Sequence, residues 1–156
     1  MAPDRDWRAD ARRCQGRSAV EGGPLTLLVV DASSAAQACL AADGFDLFGD
    51  EDLVAPPLLW SEASAVIHEL RWRRQISDQL ASTAFEALLT GSIVRRAPMR
   101  LHREAWRVAD DLGWAKTYDA EYVALARILG CRLFTVDDRL RRGARRIVDI
   151  IGPQDL

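Results

Sequence analysis

The chain is 156 residues long and 49% hydrophobic, enough for one compact core and too little for two ordinary domains. A formal charge of −2 excludes a global positive field that would draw it onto nucleic acid or an anionic membrane, so a polyanion has to be held by local basic patches. Cys14, Cys39 and Cys131 are odd in number and lack a C-x-x-C spacing, which argues against a disulfide framework or zinc site and for a reducing compartment.

Residues 1–24 are rich in Arg and Asp, show no apolar periodicity and end in a Gly22-Gly23-Pro24 breaker. They read as a mobile tail, with a partner-binding arm as the sharper alternative. They lack the apolar centre of a signal peptide, and no stretch of the chain approaches the roughly 20 apolar residues of a membrane span. The expected location is the cytoplasm, and the expected domain is residues 25–156.

From Leu25 the pattern alternates strand and helix. Leu25 to Val30 reads as a buried strand, Ser33 to Ala42 as a helix, and Asp52 to Ala55 as a short strand after a charged connection. Pro56 and Pro57 open a helix running to about Arg74, since proline suits a first turn whose N–H groups are unpaired anyway. Ser77 is placed as the N-cap of a helix reaching Leu89 and stopped by Gly91, and Ile93 to Ala97 as a third strand. Arg100 to Leu112 and Thr117 to Leu129 read as helices ended by Gly113 and Gly130, and Arg132 to Val136 and Ile147 to Ile151 as the last strands. This alternation predicts an α/β fold: a single domain with a mostly parallel central sheet of about five strands and helices on both faces.

Four acids interrupt apolar segments where an unpaired charge would be costly. Asp31 and Asp137 end strands, while Glu62 and Asp119 sit on helices beside apolar neighbours: Leu58, Leu59, Val66, Ile67 and Leu70 around the first, Tyr122, Val123 and Ala126 around the second. Ligands in parallel sheets bind beyond the carboxyl ends of strands, which gives these distant residues a reason to converge. Two carboxylates about 5 Å apart repel by roughly 3 kcal/mol at an effective dielectric of about 20, and four acids make six such pairs. Protonation relieves part of that, and a divalent cation relieves it while using the oxygens as ligands. Oxygen-only ligation selects Mg²⁺ or Mn²⁺.

The stretch from Tyr118-Asp-Ala-Glu-Tyr to Thr135-Val-Asp137-Asp-Arg-Leu140 resembles the second half of a PIN domain, particularly the VapC-type toxin ribonucleases. The same pattern takes in Asp31 of Val-Val-Asp-Ala-Ser and Glu62 of Pro-Pro-Leu-Leu-Trp-Ser-Glu, so the resemblance runs from about Leu25 to the C-terminus. It implies a PIN-like domain and Mg²⁺- or Mn²⁺-dependent endoribonuclease activity leaving 5′-phosphate and 3′-hydroxyl ends. Asp31, Asp119 and Asp137 are then direct or water-mediated metal ligands, and Glu62 binds metal or orients the attacking water. Ser33 and Thr135 are candidate helpers, and Arg139 and Arg142 candidate RNA contacts. The resemblance also implies a type II toxin with a cognate antitoxin, and a homodimer. One departure is Ala65, where the family often has Asn, which removes an outer-sphere hydrogen bond that would tune metal affinity.

Plainer readings stand beside these. Asp31 and Asp137 are also what helix N-caps after strands look like, Asp119 suits a helix dipole, and Glu62 a solvated first turn. Ser33 and Thr135 hydroxyls suit caps of the adjoining turns. The clusters Arg71/Arg73/Arg74, Arg95/Arg96 and Arg139 to Arg146 read as solvated surface, Trp60 as packing in place of base stacking, His68 and His102 as surface, and Cys39 and Cys131 as core. A dehalogenase-like phosphatase needs an acid where Ser33 stands. A phospho-accepting receiver domain expects paired acids after the first strand and a late lysine, neither of which is found. The remaining rival is a PIN-like module that binds RNA or protein without cutting.

Overall fold

The computed structural model describes residues 26–156, so the reading of residues 1–24, with Cys14, lies outside the described residues. Strand β1 (Leu27–Val30) is followed by helix α1 (Ala32–Leu40), β2 (Asp52–Ala55), α2 (Leu58–Trp72) and α3 (Asp78–Thr90). Then come β3 (Val94–Arg95), α4 (Leu101–Leu112), α5 (Tyr118–Leu129), β4 (Arg132–Phe134), α6 (Asp138–Ala144) and β5 (Ile150–Ile151). All strand pairs are parallel, in the order β3-β2-β1-β4-β5. This is the expected α/β architecture.

The β1 sequence Leu-Leu-Val-Val explains its central place. Leu28, Val29 and Val30 are fully buried, as a strand covered by helices on both faces requires. β1 pairs with β2 on one side, Val29 opposite Val54, and with β4 on the other, Val30 opposite Phe134. The chain therefore reverses its direction of travel across the sheet beside β1, and a crevice opens beyond the carboxyl ends of β1 and β4. Asp31 and Asp137 follow those two ends.

Helix boundaries follow local chemistry. The Ser77 hydroxyl accepts from Leu80 N at 3.1 Å and starts α3 as expected. Gly113 and Gly130 adopt φ of 66° and 64° at the C-caps of α4 and α5, a left-handed conformation that side chains resist.

Several expectations need correction. The helix expected to reach Arg74 ends at Trp72, and Arg74 itself turns with φ 56°. The strands expected over Ile93 to Ala97 and Ile147 to Ile151 shrink to two residues each at the sheet edges, where only one neighbour offers hydrogen bonds. The strand expected to reach Val136 stops at Phe134, and beyond it Val136 N and Asp137 N donate to the Ser34 and Thr135 hydroxyls in place of a strand neighbour. The charged connection contains a short 3₁₀ helix, Gly44–Phe48, whose Phe48 packs edge-on against Phe134 at 5.0 Å. The arginine-rich segment after Asp137, read only as a charge cluster, forms α6.

Candidate functional site

Asp31 leaves β1 with its side chain 3% exposed and fully engaged. Its Oδ1 accepts from Ser34 N at 2.8 Å, and its Oδ2 accepts from the Thr135 hydroxyl at 2.5 Å and, more weakly, from the Ser33 hydroxyl at 3.5 Å. Thr135 Oγ1 in turn accepts from Asp137 N at 2.9 Å, and the Ser34 hydroxyl accepts from Val136 N at 3.1 Å. The ends of β1 and β4 are thus stitched together by two hydroxyls. Thr135 serves as a bridge between two acids as well as a turn cap, and Ser33 is the looser neighbour.

The N-cap reading of the two strand-end acids is correct as far as it goes. Asp31 caps α1, and Asp137 Oδ1 caps α6 by accepting from Arg139 N at 2.7 Å and Leu140 N at 3.3 Å. Capping engages only one Asp137 oxygen. Among the described residues Asp137 Oδ2, Asp119 Oδ1 and Glu62 Oε1 have no hydrogen-bond donor. Three of the four acids therefore keep one oxygen available to a ligand.

Glu62 is half-buried on α2 and is held from α5, where the Tyr122 hydroxyl donates to its Oε2 at 2.6 Å. Leu59 and Ile67 line the inward face as expected, whereas Val66 is 38% exposed and does not. Tyr122 is the functional neighbour that sequence reading missed. Its place three residues after Asp119 on one helix face is the available signal, although the apolar pattern around it points only to core packing. Ala65 is exposed on α2, and the hydrogen bond that holds Glu62 comes from Tyr122.

Asp119, expected to face inward, lies at the rim with 45% of its side chain exposed. Its Oδ2 is 3.5 Å from the Arg139 guanidinium, which reaches over from α6. Arg142, the other candidate RNA contact, lies along a separate cleft. Trp60 is half-buried beneath the Arg95 guanidinium at 4.6 Å, His68 and His102 are exposed, Cys39 is buried and Cys131 half-buried.

The electrostatics show that the acids sense one another. Asp31 is raised above the ordinary carboxylate range chiefly by burial, its hydrogen bonds opposing, with Asp137 adding repulsion. Glu62 is raised by burial, with repulsion from Asp119 and Asp31 and a counteracting hydrogen bond from Tyr122. Burial also raises Asp119; Arg139 pulls it down and Asp137 pushes it up. Burial and the Glu62 contact push the Tyr122 phenol far up, so it keeps its proton and remains a donor.

A hard divalent cation fits the chemistry of this donor set: the donors are oxygens, three of the acids keep an oxygen without a donor, and the charge opposing their repulsion is the exposed Arg139 guanidinium beside Asp119. Among the described residues no three His, Cys, Asp or Glu side chains stand close enough together to hold a metal ion as they are placed, so the acids would have to draw in around one. The site is an open acidic crevice with Arg139 lying across its rim.

The PIN domain family model matches residues 26–146. The chain belongs to the PIN domain family. It is 34% identical over 116 residues to a VapC ribonuclease of Mycobacterium bovis and to ribonuclease VapC9 of Mycobacterium tuberculosis, covering 73% of this chain and 88% of each relative. Among solved structures, PAE2754 of Pyrobaculum aerophilum superposes with a TM-score of 0.64 at 24% identity, covering 86% of this chain and 94% of that one. FitAcB of Neisseria gonorrhoeae superposes with a TM-score of 0.53 at 15% identity, covering 83% and 99%. These two likenesses bear on the fold alone. Among the described residues no helix of this PIN domain is long and apolar enough to cross a membrane.

Proposed function

We propose that this PIN-domain chain is a metal-dependent endoribonuclease of the VapC kind, the toxin half of a toxin–antitoxin pair, with Asp31, Glu62, Asp119 and Asp137 as its site. The observation that carries the reading is that Asp31, Glu62 and Asp119 are all raised, first by burial and then by neighbouring acids, beside the ends of β1 and β4, in a chain that is similar over most of its length to VapC ribonucleases.

The residues divide the work by position. Asp31, pinned by Ser34 N and Thr135, is the fixed oxygen pair at the bottom of the crevice. Asp119 Oδ1 and Asp137 Oδ2 offer oxygens that no donor occupies among the described residues. Glu62, aimed by the Tyr122 hydroxyl, keeps Oε1 free to accept a proton from a water or to join the ligand set. Magnesium or manganese, when bound, would acidify a water and neutralise charge on the phosphodiester. The arginine at the rim approaches a carboxylate in this structure and would meet a phosphate in a complex with RNA.

An antitoxin that inserts a cationic side chain into the crevice would compete for the same acids, and a homodimer in the cytoplasm belongs to this proposal. The test is direct. Purified protein should cut RNA with Mg²⁺ or Mn²⁺, stop with EDTA, and leave 5′-phosphate ends; Asp31→Asn or Asp119→Asn should abolish cutting. Full activity in either variant overturns the site, and RNA binding without cleavage by the wild type leaves a non-catalytic PIN-like module.

A further inference from the structure

Two cavities beside the acidic crevice share one wall. The first, about 430 Å³, holds Lys116, Asp119 and Arg139; the second, about 500 Å³, holds Arg142, Arg145 and Arg146. The half-buried indole of Trp114 lines both. The α6 backbone packs closely on it at Gly143, where a Cβ would fall 3.0 Å from Trp114 Cζ2 and would press the ring by a few tenths of an ångström. The α6 backbone therefore approaches one side of the ring while other parts border the two cavities.

The charges around this wall are unbalanced. Arg141 on the same helix pairs with Asp138 at 2.8 Å, and Arg139 leans on Asp119. Among the described residues Lys116, Arg142, Arg145 and Arg146 make no ion pair, although Asp111 borders a third cleft beside Arg146. In a chain of net charge −2 this is a local concentration of cations, with Arg139 and Arg142 one turn apart on α6 and Arg145 and Arg146 in the turn that follows it. An aromatic wall flanked by unpaired cations matches a single nucleic acid strand, in which base faces alternate with phosphates. An acidic peptide would satisfy the cations but leave the indole without a planar partner.

We propose that the two cavities form one track along which single-stranded RNA enters or leaves the acidic crevice. Lys116 and Arg139 hold the phosphate nearest Asp119, a base packs on Trp114, and Arg142, Arg145 and Arg146 hold the phosphates beyond it. The track rests on the ribonuclease reading above, and it assigns binding to residues outside the acid set.

The experiment uses the full chain carrying Asp31→Asn, so that RNA is bound and not cut, and follows the anisotropy of a short fluorescent single-stranded RNA at several salt concentrations. The triple variant Arg142→Gln/Arg145→Gln/Arg146→Gln should weaken binding on the order of 10-fold or more. It should also flatten the slope of log affinity against log salt by about 2, since each single-strand phosphate contact contributes roughly 0.7. Trp114→Phe should bind nearly as well as the parent. Gly143→Ala, which presses on the indole, should bind several-fold more weakly while retaining the parent's cooperative thermal unfolding. Arg73→Gln/Arg74→Gln, remote from the track, should leave affinity intact and exclude a net-charge effect.

Wild-type affinity and salt slope in the triple variant overturn the track. So does a triple variant that keeps RNA affinity but loses binding to polyglutamate, which would assign the patch to an acidic protein. Failure of the two proposals is separable: RNA binding that depends on the track in a wild-type protein that cuts nothing removes the nuclease alone, while wild-type cleavage and KM in the triple variant removes the track alone.

Discussion

The Tyr122 hydroxyl donates to Glu62 Oε2 at 2.6 Å across 60 residues of sequence, tying α5 to α2 at the edge of the acidic crevice. This bond lowers the Glu62 pKa against the burial and the Asp119 and Asp31 charges that raise it. Tyr122→Phe removes the donor and keeps the ring. The Glu62 pKa should rise further, so the acid limb of the pH–rate profile should move to higher pH. Stability should fall by about 1–3 kcal/mol, the scale of a hydrogen bond to a charged group in a partly buried setting. An unmoved acid limb would remove Tyr122 from any role in aiming Glu62.

Asp31 separates activity from stability. Its carboxylate is raised above its ordinary value mainly by burial, so in the metal-free fold its charge is a liability that hydrogen bonds only partly offset. Asp31→Asn keeps the acceptor for Ser34 N and removes the charge. RNA cleavage should fall to background while the metal-free melting temperature stays level or rises. A large drop in that melting temperature would mean that the residue serves mainly as a structural cap.

The pH dependence has a definite sign. Asp31, Glu62 and Asp119 all bind protons more readily in the fold than their ordinary values of 3.8, 4.5 and 3.8 imply. Above their raised pKa values they are ionised and destabilise the metal-free fold. As pH falls through those values toward the ordinary range, the folded state takes up protons first and the penalty disappears. The stability advantage of Asp31→Asn over the metal-free wild type should therefore be largest near neutral pH and shrink as pH is lowered toward 4.

Divalent metal should invert that trend, because ligation needs the unprotonated acids. At about 100 times its dissociation constant, Mn²⁺ should stabilise the wild type by about 2.7 kcal/mol at neutral pH. The gain should fade on acidification and vanish with EDTA.

Arg139 lies across the rim, 3.5 Å from Asp119, with 81% of its side chain exposed. Arg139→Gln should change stability by no more than about 0.5 kcal/mol, as is usual for exposed pairs. It should strengthen Mn²⁺ binding several-fold in the absence of RNA by freeing Asp119, and raise KM for RNA. Calorimetric titration checks the first effect and steady-state cleavage the second.

The scaffold was readable because it depends on strong local signals. Four consecutive apolar residues at Leu27–Val30 can be buried on both faces only in a central parallel strand, and Gly113 and Gly130 stop helices by conformational freedom that few residues share. The acids were readable because each breaks an apolar pattern. Edge strands were overestimated because β-propensity does not reveal how many neighbours a strand has. Helix α6 was hidden by its arginines, whose charge masked a Leu140/Ala144 apolar spacing of four residues. The Tyr122–Glu62 bond and the Trp114–Gly143 contact were hidden because they join residues that only the tertiary fold brings together.

Asp31, Glu62, Asp119 and Asp137 are proposed to form one divalent-cation-dependent site. Its most direct test is a Mn²⁺ titration of the metal-free full chain, followed by electron paramagnetic resonance, beside Asp31→Asn, Glu62→Gln, Asp119→Asn and Asp137→Asn. Saturable Mn²⁺ binding by the wild type, weakened in Asp31→Asn, Asp119→Asn and Asp137→Asn while each remains folded, is the predicted result, and Glu62→Gln tells whether that residue joins the ligand set. Wild-type Mn²⁺ affinity in all four folded variants, or no binding by the parent at millimolar metal, contradicts it.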